Sequence, residues 1–394
     1  MTGALDGVKI IDMSAVIAGP MATQILGDQG AEIIKIENPG MGDMARWLGP
    51  QSNGLGAMFA AVNRNKRSIA LNLKNADGKA VLLALIESAD VLVENYRPGT
   101  MERLGLTYEA LKAINPGLIY VAMSGFGQDG PYAKRRVYDP VVQAVSGFAD
   151  SQADPQTGEP HLIQSIVCDK VSALTVAQAI TAALFARTKT GAGQFIEFNL
   201  LAAALAFVWP DVMYNETFLD EGVVQMPEFS RFYDIMRTQD GFVTVIVISD
   251  DEFADFARAA GKPDLAKDPR FANVFLRLQN AEALKSEMKT LMAQFPTADI
   301  VKRLEAEDVP HARVLKRDDV PGDPQVKHLG LIVESTHPKA GRMRDVRPAV
   351  VFAGTPSTIR RPAPMLGEHT DDVLRELGKN AADVAALRAA GAVA

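Results

Sequence analysis

Short apolar runs alternate with longer segments of helical period through the first third of the chain. The runs at 8–12 (VKIID), 32–37 (EIIKIE), 68–73 (SIALNL), 90–95 (DVLVEN) and 118–125 (LIYVAMSG) have the length and branched apolar content of buried strands. Between them, 19–30 predicts a helix with Pro20 near its start and Gly30 as its stop, 78–89 a second, and 101–105 a helical patch. Strands alternating with helices predict an α/β fold, a largely parallel sheet with helices on both faces. Such sheets take ligands beyond the C-terminal ends of their strands. Segments 13–19, 38–42, 95–99 and 124–130 therefore become the places to look.

After Asn199 the pattern changes. The run LLAAALAFVWPDVM is broken by Pro210 and Asp211, falls short of the ~20 residues that span a bilayer, and reads as a buried helix. A strand at 241–248 and helices at 250–261, 281–295 and 297–309 predict a smaller α+β domain over 226–320, reached through a linker at 201–225. The tail, 321–394, predicts further strands within 344–356 and a helix at 369–378. Residues 1–200 form the first part of the large domain.

One stretch, LIQSIVCDKVSALTVAQAI, places Asp169 at the mouth of a long helix of small and apolar residues, with Lys170 the only other charge in it. Aspartate is a favoured N-cap, so 170–187 predicts a helix capped by Asp169 and ended by Arg187, Lys189 and Gly191. On local sequence alone, capping accounts for this carboxylate.

Composition narrows the function. The chain has 394 residues, enough for two domains, and a net charge of −7, which argues against nucleic-acid binding. A local basic pocket for a phosphorylated ligand stays compatible with that charge. Cys168 is the sole cysteine, so no intramolecular disulfide forms, as expected of a cytoplasmic protein. The first residues, MTGALDGVKIIDMS, lack the features of a signal peptide. No GxGxxG follows the first strand, where SAVIAGP stands instead, and no P-loop sequence occurs. The five histidines show no zinc-binding spacing.

Several motifs then line up in order: LDGVKIIDMS…AGP, QILGDQGAEIIKIENPGMGD, NRNKRSIALNLK, DVLVENYRPGTMERLGL, SGFGQDGPY, YDPVVQAVSG, RTKTGAGQFIEFNL, DPRF and PMLGEHTDDVLRELG. Together they resemble the family III CoA-transferases, the family of formyl-CoA transferase, carnitine CoA-transferase and 2-methylacyl-CoA racemase, over nearly the whole chain. The resemblance implies that Asp169 is a nucleophile. It implies CoA contacts at Val16, Ile17, Ala18, Leu71, Lys74, Asn95, Tyr96, Arg97, Arg103, Arg136 and Asp139, while Lys66 and Arg67 match the family with a structural role open. It further implies a discontinuous Rossmann-like large domain and an interlocked homodimer, with an acyl-CoA and a carboxylic acid as substrates and no permanently bound cofactor, metal, nucleic acid or membrane.

The chain also departs from the family. Asn38 stands where many members carry a basic residue after the second strand. The glycine-rich loop of the formyl-CoA transferases has no counterpart in 220–241, which disfavours oxalate and formate. Cys168 reads as a packing residue. Aromatic and apolar residues at Trp209, Tyr214, Phe218, Met226, Phe229, Phe232 and Tyr233 fit either a bulky acyl group or a plain hydrophobic linker. A racemase needs an acid and a base on opposite faces of the α-carbon, and the family's histidine falls here on Tyr138. Intramolecular CoA transfer on a dicarboxylic acid, a non-catalytic acyl-CoA-binding protein and an oxidoreductase are the other readings, the last disfavoured by the missing glycine fingerprint.

Overall fold

The computed structural model describes residues 3–154, 157–226 and 229–394, without the side chains of Phe229 and Arg231. The chain divides into two compact units, one of residues 1–208 with 328–394 and one of residues 209–327.

In the larger unit the expected strands form at β1 (Lys9–Asp12), β2 (Glu32–Glu37), β3 (Lys66–Ala70), β4 (Val91–Glu94) and β5 (Ile119–Ser124), and a sixth, β6 (Phe195–Asn199), joins them. All neighbours pair in parallel, in the order β3-β2-β1-β4-β5-β6. Ile10 faces Ile33 on one side and Val91 on the other, and Val121 lies between Val93 and Ile196. Strands buried on both faces need such continuous apolar runs. The order reverses between β1 and β4, which opens a crevice at the C-terminal ends of those two strands.

Helices cover both faces. Helix α1 (Ala18–Asp28) and the long α2 (Val167–Thr190) pack against each other, and α2 also packs on α3 (Leu200–Val208). By length and composition α2 could cross a bilayer. Its buried residues, among them Cys168, Ala173, Val176, Ile180 and Leu184, recur at three- and four-residue spacing as one packed face. On the other face, Leu82, Leu85 and Leu111 share a core with Val373, Leu374, Val384 and Val393 from the tail. The tail is stitched to the sheet edge: the His369 N–H donates to the Ser68 carbonyl at 2.9 Å, and Leu71 bridges Val393.

Some expected elements differ. Helix α2 starts two residues before Asp169, with Ile166 at the N-cap position. Helix α3 is buried along one side only, with Phe207 55% exposed. In the tail, Ile332–His337 and Gly341–Val346 pair as an antiparallel hairpin, and 347–356 forms no strand; Pro348 and Pro356 interrupt any ladder there. The smaller unit contains a three-stranded antiparallel sheet of Met236–Arg237, Phe242–Val245 and His311–Arg313. Its core includes Phe253, Phe256, Leu284, Met288, Ile300 and Leu304 from helices Asp250–Ala259, Ala281–Met292 and Thr297–Ala306.

Candidate active site

The reversal in strand order holds a cavity of about 310 Å³, built wholly from the larger unit. Its walls follow from the topology. Ala15, Val16, Ile17 and Ala18 come from the turn after β1, Asn95 to Pro98 from the turn after β4, and Met123 to Phe126 from the turn after β5. Ala133 and residues 135–138 close one side, and Asp169 enters from the first turn of α2. The chain folds tightly at Gly19: a Cβ there would lie 2.3 Å from Cβ and Oγ of Ser14, so only glycine lets the start of α1 pack on the turn.

Asp169 is half-buried and sits third in α2. Its backbone N–H donates to Oδ2 of Asp139 at 3.0 Å, so the helix end is capped by a carboxylate from another element. Asp139 is 3% exposed and is fixed by Gln143, whose Nε2 donates to its Oδ1 at 2.5 Å. Gln143 also accepts the Ile163 N–H at 2.9 Å and donates to the Ser165 carbonyl at 3.1 Å, which ties down the approach to α2. Burial, and then the charge of Asp139, push the Asp169 carboxyl up to about 6. Cys168 beside it is fully buried, and burial with the same two carboxylates pushes its thiol up to about 12. A thiol held protonated is no nucleophile, which agrees with a packing role.

The structure thus gathers Val16, Ile17, Ala18, Asn95, Tyr96, Arg97, Arg136 and Asp169 around one space. Arg97, Arg135 and Arg136 are exposed at its edge, and no ion pair occupies them among the described residues. Four expected contacts are not brought there. Leu71 is buried in the sheet core, and Lys74 and Arg103 are on the surface away from the cavity wall, Arg103 donating to Thr100 Oγ1 at 2.9 Å. Asp139 faces the helix end and Gln143 instead of the cavity. Asn95 lines the space, but its amide is spent on Ala15, accepting its N–H at 2.9 Å and donating to its carbonyl at 2.8 Å. Asn38 turns back on its own loop, accepting the Gly40 N–H at 2.9 Å.

Tyr138 lines the cavity and is 61% exposed. Gln143, Asp43 and Lys35 were not singled out by sequence reasoning. Asp43 lies inside the motif NPGMGD, but nothing local indicates that its side chain reaches another loop.

The sheet order and this cavity define an α/β protein with an open cavity at the topological switch point. The chain belongs to CoA-transferase family III, whose sequence profile matches residues 5–370, and it is an enzyme of that family; CoA thioesters are the family's substrates. An acyl-CoA transferase of Fusarium pseudograminearum is 35% identical over 412 residues, covering 99% of this chain and 88% of that one. The succinyl-CoA:glutarate CoA-transferase of Homo sapiens is 34% identical over 383 residues, covering 95% and 86%. A crystal structure of a CAIB/BAIF family protein from Brucella suis superposes with a TM-score of 0.83 at 31% identity, over 96% of this chain and all of that one.

Proposed function

We propose that this enzyme moves CoA from an acyl-CoA to a second carboxylic acid, with Asp169 as the covalent nucleophile. The observation that carries the reading is the placement of Asp169 on the wall of the switch-point cavity, which the turn that opens α1 also lines. An Asp169 oxygen attacks the thioester carbonyl, a mixed anhydride forms, and CoA leaves as thiolate. The thiolate attacks the aspartyl carbonyl, giving an aspartyl-CoA thioester and the free donor acid. The acceptor carboxylate attacks that thioester, a second anhydride forms, and CoA thiolate returns to the acceptor's carbonyl, restoring Asp169. Each bond made is nearly as reactive as the bond broken, so no ATP is consumed.

Backbone N–H groups of Ala18 and Gly19, at the open start of α1, are the donors proposed for the developing oxyanions. Arg97 and Arg136 supply charge-assisted bonds to CoA phosphates. We propose an interlocked homodimer as the working form. Apolar side chains exposed on α2 and α3, Leu174, Phe185 and Phe207, support a partner surface there. A racemase would place Tyr138 as its second proton carrier, and a phenol is a poor acceptor near neutral pH.

The test is trapping. The protein is incubated with succinyl-, glutaryl-, acetyl-, mesaconyl- and an aromatic acyl-CoA, treated with hydroxylamine or borohydride, and mapped by mass spectrometry. Modification at Asp169 with one donor is the expected result. Unmodified Asp169 with every donor, together with α-proton exchange in deuterated water, would replace this reading by the racemase.

A further inference from the structure

The turn between β1 and α1 has a strained backbone. Val16 has a φ of +72°, a left-handed conformation that a β-branched residue adopts only when its surroundings enforce it. Those surroundings are four side chains gathered at the strand ends. Asp12 accepts the Ser14 N–H at 2.9 Å and its Oγ–H at 2.5 Å. Lys35 Nζ donates to the Ser14 carbonyl at 2.7 Å, and Asn95 holds both backbone groups of Ala15. The Val16 N–H itself donates to Oδ1 of Asp43 at 2.9 Å.

Asp43 is in turn immobilised. It is 4% exposed, its Oδ1 also accepts the Ala45 N–H at 2.9 Å, and its Oδ2 lies 3.0 Å from Lys35 Nζ. Its own N–H donates to Glu37 Oε2 at 3.0 Å, and Glu37 is gripped by Arg46 at 2.7 Å. Lys66 completes the cluster at 2.8 Å from Asp12. Val16 lines the cavity, whereas Asp12, Lys35, Asp43 and Lys66 do not. Buried charges of this kind are a poor source of stability, since well-packed apolar groups often serve as well or better. Their geometry here converges on one strained turn at the ligand site.

We propose that Asp43, backed by Lys35, is a positioning residue that holds Val16 in the left-handed turn and so aims the backbone of Val16 to Ala18 at bound CoA. The inference rests on the proposed function's reading of the cavity as a CoA site. It gives a role to the motif NPGMGD, for which the chemistry at Asp169 has no use.

The test is a double-mutant cycle read by the dissociation constant for CoA and by kcat and KM for transfer. Asp43→Ala weakens CoA binding and kcat/KM by about ten-fold or more, the scale of one hydrogen bond to a charged group. Glycine adopts positive φ without the penalty of a Cβ, so Asp43→Ala is at least three-fold less damaging in a Val16→Gly background, about the scale of that relief. Asp43→Asn, which keeps an acceptor oxygen for Val16, retains more CoA affinity than Asp43→Ala. If Asp43→Ala does not fold, the same cycle is run with Asp43→Asn. Equal losses in both backgrounds overturn the proposal, as does a lowered Tm with wild-type CoA affinity in the folded fraction. Failure of the unsubstituted protein to bind CoA would sink the proposed function and this inference with it, whereas additive losses with CoA bound sink this inference alone.

Discussion

Two demands on the Asp169 carboxylate pull apart. As the proposed nucleophile it must be ionised, yet burial and the neighbouring Asp139 favour its protonated form and set its pKa near 6. Transfer therefore rises with pH through about 6. Asp139→Asn removes the repulsion and leaves the burial, so it moves that acid limb to lower pH while keeping it above the ordinary value of 3.8; a pH–rate profile reads the shift. The same group is linked to stability. A carboxyl whose folded pKa is raised binds its proton more tightly when folded, so its contribution falls as pH climbs from about 4 to above 6. Asp169→Asn is expected to abolish transfer and to stabilise the fold by about 1–2 kcal/mol at pH 7.5, a gain that shrinks toward pH 4; denaturant melts at the two pH values measure it. The motif order made Asp169 legible as a site. Its place within the helix was not legible, because the cap comes from Asp139, thirty residues earlier, and no local pattern records a cap supplied from elsewhere.

At the scale of elements, the turn from β1 into α1 shows how little room the site leaves. Gly19→Ala would drive a methyl into Ser14, whose hydroxyl is already committed to Asp12. Forcing that contact is expected to destabilise the fold by about 1–3 kcal/mol, seen as a lowered Tm and a weaker affinity for CoA. Strands β1, β2, β4 and β5 were readable because each is buried on both faces and so is dominated by branched apolar residues, with Lys35 in β2 the one charge inside a run. Strand β6 was not: it is a sheet edge, and in FIEFN only Phe198 is buried, with exposed Glu197 at the centre. The hairpin in the tail was blurred for a similar reason, since its exposed charged residues Glu334, Arg342 and Arg344 pair across the strands and interrupt the apolar pattern. The apolar residues of 350–353 have a strand-like composition, but prolines on both sides deny them a partner.

Across the whole molecule, residues far apart in sequence share one core. Leu92 and Leu374 are both fully buried in it, although the smaller unit and much of the tail separate them along the chain. Leu374→Ala is expected to cost about 2–5 kcal/mol, the same range as Leu92→Ala, and both should lower one common unfolding transition in calorimetry. A tail that merely lay on the surface would give a much smaller loss. Nothing in the period of 369–378 says which surface it covers; the His369 N–H donating to the Ser68 carbonyl, the Ala70 N–H donating to Thr370 Oγ1 and Leu374 in the shared core reveal it.

That arrangement has a consequence for how the chain is made. The smaller unit is continuous in sequence and can close as soon as residue 327 has emerged from the ribosome. The larger unit begins first and finishes last, because Val393 and the N–H of Ala394 complete its sheet edge beside Leu71 and Ala70. Until residues 373–393 have emerged, the core that Ile34, Leu82 and Leu92 share with Val373, Leu374, Val384 and Val393 is incomplete, and such bare apolar surface is what chaperones hold. Synthesis order thus separates the two units in time: the one that holds the switch-point cavity matures only after the smaller unit has been made.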